Sequence, residues 1–348
     1  MASSIFQPTR RDREYHGVTD TTVRRTRIAL DAMGGDAAPE VTLAGARAVR
    51  AQGAVDVVLV GPPEVVEGQG FECVAATEVV GMADKPTRAV RDKPRSSMQI
   101  AVELVQRGTV DGAVSAGNTG ALMASALLTL GRLPGVERPA FGGLFPTRRG
   151  LVLLIDLGAN ADAKAPWLAQ FAVMGSVYAQ RLLHLDEPRV GLLNIGEEEG
   201  KGNQLSVQAY ELLRRGPINF IGNVEGNDLP EGRADVVVCD GFTGNIVAKL
   251  AESMAGVFGG WIRDELRADP LSVVGALLAR GAFGRLRRRM DYAEYGAAPL
   301  FGVNGLVVVA HGRSNSHAIE RAITIAAAAA DQELIPALQK ACAPPLGT

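Results

Sequence analysis

Histidine, cysteine and aromatic side chains are scarce in this chain. Its 348 residues include four histidines and three cysteines, and aromatics make up 5%. Cys73, Cys239 and Cys342 are far apart and no Cys-x-x-Cys or Cys/His ligand spacing occurs, so neither a zinc site nor a disulfide framework is supported. Widely spaced thiols in odd number fit a reducing, cytosolic compartment. The few aromatics offer no base-stacking platform, and a net charge of −2 argues against a general polyanion binder, so no nucleic-acid partner is expected. No run reaches the ~18 consecutive apolar residues of a membrane span. The first residues lack the apolar stretch of a signal peptide. A G-x-S-x-G elbow is absent as well.

What the chain has in quantity is apolar residues, 47%, and glycine, 41 residues. Many glycines stand where a short apolar run breaks into a polar loop. GAVSAGNTGA, LVLLIDLGAN, RVGLLNIGEEEGKGN and ADVVVCDGFTGN share this form. Each reads as a buried strand, a Gly/Asn/Ser/Thr loop, and then helix-forming sequence. Such junctions aim backbone N–H groups and a helix N-terminus into one cleft, which suits an anion.

Strand-like and helix-like segments alternate from Arg27 onward. RIALD, VDVVLVG, FECVAATEVV, DGAVSAG, FGGLFPT, GLVLLIDLG, RVGLLNIG, INFIGN, ADVVVCDG and NGLVVVAHG read as strands. Helical patterns fill most of the intervals. The expected fold is α/β: a three-layer α/β/α arrangement around a mostly parallel sheet. Ligands in such sheets bind beyond the carboxyl ends of the strands, the edge where all these loops fall. Residues 1–26 read as a flexible extension, 27–338 as one catalytic domain, and 339–348 as a flexible tail. Residues 267–296 contain no strand-like run. Val274, Leu277, Leu278, Leu286 and Met290 recur at near-helical spacing beside Arg280, Arg285, Arg287, Arg288 and Arg289. The segment reads equally as a helical hairpin with a solvated basic face or as a docking surface for an acidic protein or anionic membrane.

Several loop residues are candidates for chemistry. In DAMGGD, two acids flank a glycine pair. Gly34 and Gly35 suit backbone donation to a ligand, with Asp36 as a hydrogen-bond acceptor, and two aspartates are too few to argue a metal. In SAGNTG, the N–H groups and the Ser115, Asn118 and Thr119 side chains, with Gly117, could cradle phosphate. The same spacing fits an ordinary strand-to-helix turn. No Gly-Lys-Ser/Thr follows it and it does not match G-x-G-x-x-G, so neither a Walker loop nor dinucleotide binding has direct support. Asn160 closes the LGAN loop. Lys201, among glycines, can hold phosphate as a point charge or polarise a carbonyl. Asn245 offers a neutral oxyanion donor. His311, at a strand end, reads as a general acid, an anion ligand or a hydrogen-bonded structural residue. Cys239, in an apolar run, reads as buried.

Donor-rich loops with few nucleophiles point to an activated acyl group and phosphate. Phosphate is already an anionic nucleophile at neutral pH and needs little base. A thiolate leaving group, with a thiol pKa near ~8.5, needs little acid. The remaining work is to hold the anion and stabilise a tetrahedral oxyanion.

Seven ordered motifs carry a family resemblance: RIALDAMGGD, VSAGNTGALMASALL, LLIDLGAN, VGLLNIGEEEGKGN, INFIGNVEGNDL, VVVCDGFTGN and DYAEYGAAPLFGVNG with AHGRS. Over about Arg27 to Ala327 the chain closely resembles the PlsX family, the acyl-ACP:phosphate acyltransferases of bacterial phospholipid synthesis. The resemblance implies a fold like phosphotransacetylase and isopropylmalate dehydrogenase, a homodimer, and no cofactor or metal. It implies acyl-acyl carrier protein and inorganic phosphate as substrates. The acyl phosphate formed would pass to a membrane glycerol-3-phosphate acyltransferase. The family's K-G-N lysine falls on Lys201 and the asparagine of its D-G-F-x-G-N loop on Asn245, which makes these the expected catalytic pair. Its helical arm falls on 267–296 and is a dimer and membrane-association element in the resemblance, so Arg285, Arg287, Arg288 and Arg289 become expected contacts to lipid or carrier protein. The implied location is cytoplasmic with peripheral membrane association. The family usually places His after GGD and often Cys after Asp162. Here these positions are Ala37 and Ala163, so neither an essential imidazole nor an acyl-cysteine is available there. An NAD-dependent dehydrogenase of the related fold is the alternative.

Overall fold

The computed structural model describes residues 24–290 and 297–343, with side chains 287–290 left aside. In chain order the elements are β1 (Thr26–Asp31), α1 (Glu40–Gln52), β2 (Val55–Gly61), α2 (Pro63–Val66), β3 (Glu72–Ala75), α3 (Pro86–Asp92), α4 (Ser97–Gln106), β4 (Gly112–Ser115) and α5 (Thr119–Thr129). There follow β5 (Ala140–Thr147), β6 (Gly150–Ile155), α6 (Ala165–Leu182), β7 (Arg189–Leu193), α7 (Gln204–Arg214), β8 (Asn219–Val224), α8 (Asp228–Glu231), β9 (Val236–Val238) and α9 (Gly241–Glu265). The last are α10 (Pro270–Leu278), α11 (Arg280–Met290), β10 (Ala297–Phe301), β11 (Val307–Ala310), α12 (Ser316–Asp331) and α13 (Leu334–Cys342). The chain forms two compact units, one of residues 1–139, 177–186 and 297–348, the other of 140–176 and 187–296.

In the first unit the strands run β3-β2-β1-β4-β11-β10, all parallel except the antiparallel β10–β11 pair. Ile28, Ala29 and Leu30 are successive and all fully buried, which requires cover on both faces of the sheet. One face is filled by Ala29, Val58, Val60 and Ala113 against Ala101 and Leu104 of α4. Gly45 of α1 allows close approach to α12, since a Cβ there would lie 2.7 Å from Ile319. Leu30 pairs with Val114, and Ser115 with Val309, so β1, β4 and β11 end level.

In the second unit the order is β5-β6-β9-β7-β8, parallel except for the β5–β6 hairpin. Gly175 brings α6 onto Val236, Leu153 and Ile155. The opposite side chains Val152, Leu154, Val237 and Cys239 form a second cluster with Val247 of α9. Ile155 pairs with Val238, and Val238 with Leu192, so β6, β9 and β7 also end level.

Three expectations are corrected. The FECVAATEVV strand is only Glu72–Ala75, because β2 pairs with those four residues alone. β10, within GAAPLFG, was not expected as a strand; it forms by pairing with β11. The expected flexible tail begins too early: α13 continues to Cys342, anchored by buried Leu334 and Leu338 and by Gln339 Nε2 donating to Asn304 Oδ1 at 2.8 Å. The N-terminal extension lies mostly outside the described residues.

Candidate active site

At the level edge of the first unit, Asp31 closes β1 and is buried. It accepts Ser115 Oγ–H at 2.7 Å and the Met33 N–H at 3.1 Å. Burial pushes its carboxyl group above the usual range, opposed by the hydrogen bonds from Ser97, Ser115 and Met33. Ser115 Oγ in turn accepts the Gly117 N–H at 3.1 Å. The Ser115 hydroxyl proton is therefore committed to Asp31. Gly34 lies directly on this pair: a Cβ there would be 2.8 Å from Asp31 Oδ2 and from the Gly117 nitrogen. Gly35 holds φ +110, a conformation suited to glycine, and leads to Asp36, whose N–H donates to the Gly312 carbonyl at 2.8 Å. Asp36 itself is exposed.

Asn118 caps α5, its Oδ1 accepting the Ala121 N–H at 3.0 Å. Its Nδ2 donates to the Met82 and Asp84 carbonyls at 3.0 and 2.9 Å. Both ends of that carboxamide serve the scaffold, whereas Thr119 is exposed in the first turn. His311 follows β11, and its Nδ1 accepts the Arg313 N–H at 3.1 Å. In the neutral ring the proton therefore sits on Nε2. Backbone pairing thus brings Gly34, Gly35, Asp36, Ser115, Gly117, Asn118, Thr119 and His311 to one strand edge.

The second unit gathers its loops around Asp156, which follows β6 and is fully buried. Its Oδ1 accepts the N–H groups of Phe141 (3.0 Å), Gly158 (3.2 Å) and Ala159 (3.1 Å). Its Oδ2 accepts the Asn160 N–H at 2.7 Å and Asn160 Nδ2 at 2.9 Å. Burial raises the carboxyl pKa, while these donors favour the charged form. Asp156 was not singled out from the sequence. Its signal was the acid ending a buried strand just before a Gly-x-Asn loop, the position Asp31 holds before MGG.

The start of α9 is seated on this loop. Asp240 caps it, accepting Thr243 N–H at 2.9 Å and Thr243 Oγ1–H at 2.8 Å. Gly241 donates its N–H to the Asn160 carbonyl at 2.8 Å. A Cβ on Gly244 would fall 1.9 Å from the Asp156 carbonyl oxygen and 2.9 Å from Cys239 Sγ, so only glycine fits. Asn245, one residue on, lies over Gly158, where a Cβ would be 3.7 Å from Asn245 Oδ1. Its exposed carboxamide has no partner among the described residues. Cys239 is buried, its Sγ 3.6 Å from the Asp156 carbonyl. Burial, followed by the nearby Asp240 and Asp156 charges, pushes its thiol well above the ordinary value, so it is not a nucleophile at neutral pH.

Lys201 stands on the loop after β7. Asn194 Nδ2 donates to the Lys201 carbonyl at 2.9 Å, Lys201 N–H donates to the Glu198 carbonyl at 3.2 Å, and Asn223 Nδ2 holds that same carbonyl at 2.9 Å. Gly202, with φ +94, leaves room for Asn194, whose Oδ1 would be 2.3 Å from a Cβ there. Of the neighbouring acids, Glu197 pairs with Arg233. The Lys201 ammonium is exposed and has no partner among the described residues. β6 and β7 both flank β9, so their loops leave the sheet about 10 Å apart.

Residues 270–290 form two helices, α10 and α11, with Leu271, Leu277 and Leu278 at 81%, 63% and 85% exposure. Arg285 is on α11. The side chains of Arg287, Arg288 and Arg289 lie outside the described residues. No helix among the described residues is long and apolar enough to cross a membrane. Among them there is also no group of three His, Cys, Asp or Glu side chains that could hold a metal ion.

Residues 26–336 match the family described as "Fatty acid synthesis protein". The chain belongs to this family. A family relative from Desulforamulus reducens, named phosphate acyltransferase, is 48% identical over 323 residues, covering 90% of this chain and 96% of its own. Another of that name, from Heliobacterium modesticaldum, is 47% identical over 324 residues, with 90% and 97% covered. As a member at this level of identity, the chain is an acyltransferase of fatty acid and phospholipid synthesis. Its fold is similar to that of the EutD phosphotransacetylase of Staphylococcus aureus, with TM-score 0.60, 17% identity, and 88% of this chain and 94% of that chain covered. It is also similar to a 4-hydroxythreonine-4-phosphate dehydrogenase of Klebsiella pneumoniae, with TM-score 0.54, 13% identity, and 90% and 99% covered. At such identities the likeness is one of fold alone.

Proposed function

We propose that this chain transfers a fatty acyl group from the thioester of an acyl carrier protein to inorganic phosphate, giving acyl phosphate for phospholipid synthesis. One observation carries the reading: Lys201 and Asn245 are uncommitted polar groups on backbone held from beneath, at the level end of adjacent strands. A cation and a neutral donor in such a setting suit an anionic nucleophile and a developing oxyanion. Phosphate oxygen attacks the thioester carbon and forms the C–O bond. The carbonyl electron pair moves onto oxygen, then returns as the C–S bond breaks and the thiolate leaves. Lys201 holds phosphate or polarises the carbonyl, and Asn245 supports the oxyanion. No acyl-enzyme is required, in keeping with the buried thiol of Cys239 and with alanine at 37 and 163.

In the first unit, Ser115 and Asn118 are committed to the scaffold. Anion binding there falls to the Gly35 N–H and the first N–H groups of α5, with Thr119 and His311, because the Gly34 and Gly117 N–H groups are bonded to Asp31 and Ser115. Asn160 serves the scaffold as well: its N–H and Nδ2 donate to Asp156 and its carbonyl holds Gly241, so its part is to seat the start of α9 that carries Asn245. The reading extends to a cytoplasmic homodimer that touches the membrane through α10 and α11 and passes acyl phosphate to a membrane glycerol-3-phosphate acyltransferase. Support comes from the outward Leu271, Leu277 and Leu278 next to Arg280 and Arg285.

The test is a hydroxylamine trap. Purified chain, palmitoyl-acyl carrier protein and phosphate should yield hydroxamate in proportion to phosphate. Lys201→Ala and Asn245→Ala should each lower the rate about 100-fold, the scale of a lost oxyanion donor, with unchanged melting. Wild-type rates in both variants would remove the site assignment.

A further inference from the structure

Helix α3 and its flanks concentrate charge. Between residues 85 and 95 stand Lys85, Arg88, Arg91, Lys93 and Arg95 against Asp92 alone, in a chain whose net charge is −2. Two of the five cations are paired. Lys93 Nζ donates to Asp84 at 2.6 Å and to the Val79 carbonyl at 2.8 Å, and Arg88 meets Asp92 at 3.0 Å. The Lys85, Arg91 and Arg95 side chains are exposed, with no ion-pair partner among the described residues.

This segment is latched to the binding edge of the first unit. Asn118, the cap of α5, holds the Met82 and Asp84 carbonyls. Pro86 packs against Gly120, the second residue of α5: a Cβ there would lie 2.7 Å from Pro86 Cγ. Ala89 faces inward and is 5% exposed. The cations are therefore fixed beside the Ser115–Thr119 loop.

We propose that α3 and its flanks are the docking face for an acidic protein, the carrier that presents the acyl thioester. This rests on the reading that the acyl donor is carrier-bound. Exposed cations beside a cleft act mainly by steering the encounter and setting orientation, which suits a partner that must dock, deliver and leave. A lipid surface fits poorly. An interfacial helix needs an apolar face, but α3 has seven residues, and no large apolar side chain between residues 83 and 95 is exposed.

The test compares wild type with the Lys85→Glu/Arg91→Glu/Arg95→Glu chain. Affinity for palmitoyl-acyl carrier protein, read by calorimetry at low salt, should fall about tenfold or more, with the melting midpoint unchanged. Unchanged carrier affinity would overturn the proposal. So would a loss confined to cosedimentation with phosphatidylglycerol vesicles. Should the triple reversal alter melting, Arg91→Gln alone decides: carrier binding should depend less steeply on salt than in wild type, and an identical dependence rejects the surface. The reaction itself is judged separately, with wild-type chain, soluble palmitoyl-pantetheine and phosphate. Absence of phosphate-dependent product there counts against the acyl-transfer reading and leaves the carrier-binding result to stand or fall by itself.

Discussion

Replacing Gly244 by alanine isolates the seat of α9. The new methyl group would lie 1.9 Å from the Asp156 carbonyl oxygen and 2.9 Å from Cys239 Sγ. A carbon needs more than 3 Å from such an oxygen, so α9 must move off the Asp156–Asn160 loop by about 1 Å. Overpacking of this kind costs about 1–3 kcal/mol, and contact with rigid backbone places this change toward the upper end. Asn245 moves with the helix. Misplacing a reacting contact by about 1 Å costs roughly 100-fold in rate, or about 2.7 kcal/mol of barrier. The assay is phosphate-dependent hydroxamate formation, run beside thermal melting. Gly256→Ala is the internal control: it lies in the same helix with nothing within 4 Å of a Cβ, and should stabilise by about 0.5–1 kcal/mol without changing kcat. A Gly244→Ala chain with wild-type kcat would refute the argument that the Asp156 seat sets the position of Asn245.

Three more outcomes follow from the same geometry. Asp156→Asn turns an amide N–H₂ toward donors that now share five acceptor contacts, leaving at least one buried N–H unpaired; melting should show a loss of about 1–3 kcal/mol, and kcat should fall more than KM changes. Cys239→Ala should retain wild-type kcat, and iodoacetamide should not inactivate the native enzyme, because the thiol is buried and its pKa raised; rapid inactivation traced to Cys239 would contradict this. The folded-state pKa of Asp31 is raised, so its stabilising share is fully present below the ordinary carboxylate value and is lost as pH rises through the folded value. Across that window, from the ordinary carboxylate value of 3.8 upward, Asp31→Asn should lose less stability with rising pH than wild type, and parallel curves of melting temperature against pH would remove the assignment.

The sequence made the strand–helix alternation legible because most strands here are short apolar runs that break into polar loops, and periodicity is a local property. FGGLFPT and GLVLLIDLG, the strands of the β5–β6 hairpin, were visible for the same reason, though not their antiparallel pairing. β10 was not: Ala297–Phe301 contains Pro299 and no alternation, and becomes a strand only by pairing with β11, a relation no local pattern carries. FECVAATEVV read as one long strand because its composition suits one, yet β2 offers partners for four residues only. The candidate loops were legible as a class. What could not be read was the direction of their side chains. Ser115 and Asn118 have the donor chemistry of an anion cradle, but one is bonded to a buried acid and the other ties a distant segment to α5. Asp156 looked like one acid among 38 Asp and Glu residues; four of its five donor contacts come from the loop that follows it, through Asn160, and the fifth from Phe141 on the paired strand β5, and composition alone does not show that the loop folds over the carboxylate.

The central claim is direct transfer of the acyl group to phosphate with no acylated enzyme on the way. The most direct measurement is intact-mass spectrometry of the chain incubated with palmitoyl-acyl carrier protein, first without phosphate and then with it. The account predicts an unmodified chain mass throughout, and acyl phosphate only after phosphate is added. A chain that gains the mass of a palmitoyl group before phosphate arrives, and loses it as product forms, would contradict it.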